Sequence, residues 1–98
     1  MKIYENSEGA RVILELEGNL DENTSAMVEK KLGSLLKSDT LNIDLDMSRV
    51  NYISSIGICA LVASYKRAVK SRKKITIIKM SDKVDNILSS VGLLALFK

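Results

Sequence analysis

The chain of 98 residues has no histidine, no proline and no tryptophan, a single cysteine, and only three tyrosines and one phenylalanine. Without histidine it lacks the usual general base, the commonest metal ligand and the one side chain whose ordinary pKa lies near neutrality. Cys59 stands alone, so no internal disulfide and no thiolate metal cluster can form. Followed by Ala60-Leu61-Val62, it is expected to be a small buried hydrophobe. Tyr4, Tyr52, Tyr65 and Phe97 are too few to build a base-stacking platform. With no proline, and with Gly9, Gly18, Gly33, Gly57 and Gly92 scattered, no linker divides the chain. The longest uncharged stretch, Val50 to Tyr65, is too short to cross a bilayer and carries Asn51, Ser54, Ser55 and Ser64. No membrane insertion is expected. Met1 to Asn6 carries no targeting signal, which suggests a cytoplasmic protein.

What is present is ordinary for one soluble domain spanning residues 1–98: 46% apolar and 28% charged residues. The net charge of +3 is concentrated in Lys66, Arg67, Lys70, Arg72, Lys73 and Lys74. A nucleic-acid or membrane footprint is one reading of this run. The simpler one is a helix whose last turn carries cations that suit its dipole. No aromatics interleave the run, so no direct nucleic-acid contact is expected.

Hydrophobic periodicity organises the rest. Lys2 to Glu5 predicts a short edge strand turned by Ser7-Glu8-Gly9. Arg11 to Glu17 alternates, with Val12, Leu14 and Leu16 on one side. Gly18-Asn19-Leu20-Asp21 breaks it, and Asn23 or Thr24 caps a helix bearing Met27, Val28, Lys31, Leu32, Leu35 and Leu36. Leu41 to Met47 alternates again, with Leu41, Ile43, Leu45 and Met47 opposite Asn42, Asp44 and Asp46. A loop from Ser48 to Ser55 leads to a helix from about Ile56 to Ser71 with the stripe Ile58, Leu61, Val62, Tyr65 and Val69. Lys74 to Met80 is apolar on both faces and is expected in the middle of a covered sheet. Ser81 caps a third helix facing inward with Val84, Ile87, Leu88 and Val91, and Gly92 stops it. Leu93 to Phe97 closes the chain. Strands alternating with helices predict an α/β domain. Its mostly parallel mixed sheet has about four strands, with helices mainly on one face.

Loops at the carboxyl ends of such strands share one edge, where binding sites gather. Ser54 and Ser55 fall there, at the start of the second helix. One serine suffices as a cap; two leave one hydroxyl free. A helix start accepts an anion, so this position suits a phosphate. Asp21, Asp44 and Asp46 raise the thought of a metal or an acid/base pair. No third ligand is spaced to join Asp44 and Asp46, and solvated or cap-bonding carboxylates are the expected reading. No metal site and no cofactor is foreseen. A nucleophilic serine would need an activating base, and Ser54-Ser55-Ile56-Gly57 lacks the nucleophile-elbow pattern, so the chain is not expected to be an enzyme. Nucleotide binding lacks a glycine-rich cradle.

Four segments resemble the STAS domain family, and within it the free-standing bacterial anti-sigma factor antagonists. They are Gly18-Asn19-Leu20-Asp21, Leu45-Asp46-Met47-Ser48-Arg49-Val50, Tyr52-Ile53-Ser54-Ser55-Ile56-Gly57-Ile58-Cys59-Ala60-Leu61 and Val91-Gly92-Leu93. The family usually reads Asp-Ser-Ser/Thr-Gly where this chain has Ser54-Ser55-Ile56-Gly57. The resemblance implies phosphorylation at Ser55, with Ser54 in place of the Asp and Ile56 in place of the second hydroxyl residue. It implies a partner surface of Asn19, Asp21, Asn51, Ser54, Ser55, Ile56 and Ile58. The implied partners are an anti-sigma factor that is itself a serine kinase and a phosphatase that restores binding. STAS-like domains also serve as non-switching subunits of larger assemblies, including envelope lipid-transport complexes, and that is the alternative implication.

Overall fold

A computed structural model describes residues 1–97. Its elements run β1 (Lys2–Glu8), β2 (Arg11–Leu20), α1 (Ser25–Leu36), β3 (Asn42–Ile53), α2 (Ser55–Lys70), β4 (Lys74–Met80), α3 (Asp82–Ser90) and a closing 3-10 turn (Leu94–Phe97). The sheet order is β1-β2-β3-β4. β1 and β2 are antiparallel, joined at Gly9-Ala10, where Gly9 takes φ +60. The turn therefore sits later than Ser7-Glu8-Gly9 suggests, because β1 pairs out to Glu8 with Arg11. β2, β3 and β4 are parallel neighbours.

The parallel strands advance in one direction across the sheet. Crossovers of one hand then put α1 and α2 on the same face. The burial pattern agrees: Val12, Leu14, Leu16, Leu20, Ile43, Leu45 and Met47 are buried under the helices, together with Leu32, Leu61, Val84, Leu88 and Phe97. The opposite face is polar and partly exposed. Arg49 pairs there with Glu15 and Glu17, and Arg11 with Asp44. Asp44 is 6% exposed, so its charge is held by Arg11 and is neither solvated nor capping.

Strands β2, β3 and β4 differ from the expectation. β2 runs on past Gly18 to Leu20, where a break is expected, because Gly18, Asn19 and Leu20 still pair with β3. β3 runs on through Ser48–Ile53, which the alternation predicts as loop. Two irregularities in its pairing with β2 insert extra residues, so the inward positions are Ile43, Leu45, Met47, Val50 and Ile53. A period of two breaks at Met47 while the strand does not. β4 is an edge strand and not a central one. Leu45 pairs with Ile77 and Asp46 with Lys79, which leaves Ile78 as a bulge residue, 40% exposed. The bulge throws one isoleucine outward and so mimics a strand buried on both faces.

Several side chains expected inside are exposed: Met27, Leu41, Val69, Val91 and Cys59. Leu41 precedes β3, and Val91 is the residue that ends α3. Cys59 lies on the outward side of α2. The first helix also starts differently. Thr24 occupies the cap position but its hydroxyl does not cap α1. It accepts from the Asp21 N–H and donates to the Asn19 carbonyl instead. At the far end of α3, Gly92 takes φ +73, its N–H donates to the Ser89 carbonyl and that of Leu93 to Leu88. This is the left-handed stop foreseen for Gly92. Lys73 donates to the carbonyls of Leu36 and Ser38, so one cation of the basic run caps α1 and not its own helix.

Candidate functional site

The carboxyl edge of the sheet is assembled by backbone contacts. Asn19 pairs with Tyr52 and Leu20 with Ile53. The Ser54 N–H donates to the Leu20 carbonyl at 2.9 Å, which brings the end of β2 against the start of α2. Gly57 makes this approach possible. A Cβ there would stand 2.4 Å from the Leu20 carbonyl oxygen, closer than any side chain tolerates. β3 and α3 close the same edge from below: the Ser81 hydroxyl donates to the Val50 carbonyl at 2.7 Å and accepts from the Val84 N–H.

The two serines divide their tasks. Ser54 is the N-cap of α2, its hydroxyl accepting from the Gly57 N–H at 3.1 Å. Ser55 is the first helical residue and is exposed. Its own N–H and that of Ile56 lie in the first turn, where no intrahelical acceptor exists. No acidic residue sits in that turn, whereas α3 opens with Asp82 and Asp85. The local field at Ser55 therefore favours negative charge.

Around Ser55 the surface is mixed. Ile56 is 52% exposed and so is Tyr52. Asn19 and Asn51 are exposed, Asn51 being the extra residue between the Val50 and Tyr52 pairings. Asp21 is half-buried, and its carboxylate accepts from the Asn23 N–H at 2.9 Å, which holds the loop after β2. Ile58 turns the other way and packs against the core. Of the positions foreseen, Asn19, Asp21, Asn51, Ser54, Ser55 and Ile56 thus gather at one edge, while Ile58 belongs mainly to the interior. Tyr52 was not foreseen. A tyrosine in a presumed loop carries no periodic signal, and only the bulged end of β3 turns it outward. Asp46 lies mid-strand in β3, away from Ser55 in the sequence, accepting from the N–H and hydroxyl of Ser48. Burial pushes its carboxyl up, but those hydrogen bonds and the charges of Lys79 and Arg49 outweigh this and hold it below the ordinary value. Among the described residues no three acids or thiols stand close enough to share a metal.

These features define a small α/β domain with a one-faced sheet and a serine-opened helix at its carboxyl edge. The sequence model of the family described as "Mlab, STAS domain" matches residues 3–97, and the chain belongs to that family. No curated protein matches it. Solved structures of similar fold include an anti-sigma factor antagonist from Mycobacterium paratuberculosis, 18% identical over 98% of this chain and 81% of that one, TM-score 0.84. The antagonist SpoIIAA in its unphosphorylated form is 14% identical over 97% and 84% of the two chains, TM-score 0.83. A sulfate transporter family protein from Wolinella succinogenes is 20% identical over 93% and 74%, TM-score 0.75. At such identities the likeness is one of fold.

Proposed function

We propose that this domain is a reversible protein-binding module that works as an anti-sigma factor antagonist. With Ser55 unmodified it binds an anti-sigma factor that is itself a serine kinase, and so frees a sigma factor. Phosphorylation of Ser55 ends the binding, and a phosphatase restores it. The protein is a cytoplasmic phosphoprotein in this reading, and it catalyses nothing itself. Its partner surface comprises Asn19, Asp21, Asn51, Ser54, Ser55 and Ile56, with Ile58 behind them and Tyr52 added.

The observation that carries this reading is the division of labour at the helix start. Ser54 caps α2, so the Ser55 hydroxyl is not needed by the fold and stands exposed. A phosphate adds about −1.5 to −2 charges at pH 7. At the first turn of α2 the domain itself tolerates that charge. Pressed against a partner beside Tyr52 and Ile56, it must be desolvated, which is costly unless a cation meets it. The switch thus acts on docking and spares the fold.

Ser55→Asp is expected to melt like the parent but to lose partner affinity, while Ser55→Ala binds and resists modification. Calorimetry against the cognate kinase checks this; equal affinity of Ser55→Asp and the parent would falsify the switch. A second reading has one observation in its favour: Ser54 stands where antagonists usually carry an acid. A non-switching STAS subunit of a larger assembly, such as an envelope lipid-transport system, would have no use for that acid. The likeness to a sulfate transporter family protein suits this reading too. Incubation with the kinase and ATP, followed by mass spectrometry, separates the two: one phosphate at Ser55 supports the switch, and none supports the scaffold.

A further inference from the structure

Charge is distributed unevenly along the chain. The stretch from Met47 to Ser81 contains eight lysines and arginines and no acid at all. Part of this is accounted for structurally. Arg49 pairs with Glu15 and Glu17, and Lys73 caps α1. Arg67 is different. Its guanidinium lies across α1 at Gly33, where a Cβ would stand 2.9 Å from Nη1. Gly33 leaves the room that this placement uses. Among the described residues no carboxylate pairs with Arg67, and its guanidinium makes no side-chain hydrogen bond. A groove of about 410 Å³ opens there between α1 and α2, lined by Glu29, Lys30, Gly33, Ser34, Lys37 and Arg67. Three cations face one acid.

We infer that this α1–α2 groove receives an acidic polypeptide segment of the partner that docks at Ser55. Planar guanidinium forks match carboxylates in pairs. Lys30 and Lys37 lie about 10 Å apart along α1, the reach of roughly three extended residues. A concave slot of that length fits a chain segment bearing two or three carboxylates. It fits a flat bilayer poorly, and it has no aromatic side chain on which bases could stack. Arg67 follows Ser55 by three turns of α2, roughly 18 Å. One interface of ordinary size, about 800 Å² on each side, covers both. The inference rests on the switch reading for its partner, yet the groove can be examined without that partner.

The test titrates a hexaglutamate peptide into the isotope-labelled protein at low salt and follows backbone amide shifts. Shifts confined to Gly33, Ser34 and Arg67, lost in Arg67→Glu and weakened by added salt, are the expected result. Lys70→Glu is the control, since Lys70 is on the same helix but does not line the groove. An equal loss in Lys70→Glu overturns the groove in favour of diffuse attraction. No shift in the groove overturns it outright. Tighter binding of a DNA duplex or of phosphatidylglycerol vesicles at the same residues overturns the choice of ligand. With the cognate kinase, Arg67→Glu is expected to bind at least about tenfold more weakly while melting like the parent. Unchanged kinase affinity in Arg67→Glu, alongside lost affinity in Ser55→Asp, removes the groove and leaves the switch standing. Unchanged affinity in Ser55→Asp removes the switch whatever the groove does.

Discussion

At the scale of single residues, four positions show how much chemistry rests on one atom. Gly57 admits the Leu20 carbonyl. Gly57→Ala should therefore cost about 2 kcal/mol or more, read as a lower urea midpoint, because backbone on both sides must shift. A midpoint equal to that of the parent would show that the approach is not needed. Asp46 makes a statement about pH. Its folded pKa lies below the ordinary 3.8. A carboxylate depressed on folding stabilises the protein above its unfolded pKa, and the contribution is lost as pH falls through the folded value. Asp46→Asn should thus flatten the loss of stability as pH falls through and below the ordinary carboxylate value. An unchanged slope in urea titrations would count against it. The adjacent serines were legible as a pair at a helix start. Which of them caps and which stands free was not, since both are good caps and only the path of β3 into α2 sets the register.

At the scale of elements, the helices were easier to read than the strands. The ends of α2 and α3 are marked by residues with local reasons, the Ser54-Ser55 pair, Ser81 and Gly92, and those reasons hold in any tertiary setting. Ser54→Ala should cost about 1 kcal/mol. Ser81→Ala should cost more, about 2 kcal/mol, because the Val50 carbonyl also loses its donor. Equal costs in chemical denaturation would argue that the Ser81–Val50 bond adds nothing. The strands misled where they bulge. β3 hides its last six residues because its inward positions jump from Met47 to Val50 to Ile53. β4 looked central because Ile78, displaced by a bulge, imitates a second buried face. Such irregularities depend on the neighbouring strand, and alternation within one segment carries no trace of them.

At the scale of the whole molecule, β3 is held on both sides while β1 and β4 each have a free edge. Amide hydrogen exchange should follow that order: Leu45 and Met47 exchange only with global unfolding, Tyr4 and Lys79 far sooner. Equal protection across the sheet would contradict the topology. What the amino-acid order settled alone is the class of the domain, one covered sheet face, and a serine pair at the start of the second helix, because hydrophobic period and capping preference act over a few neighbours. Pairing partners, the exposure of Tyr52 and Cys59, the capture of Asp44 by Arg11 and the seat of Arg67 on Gly33 were decided in three dimensions. Most of these join residues far apart in the sequence or depend on how tertiary packing turns a side chain, and such contacts exist only once the chain has closed on itself.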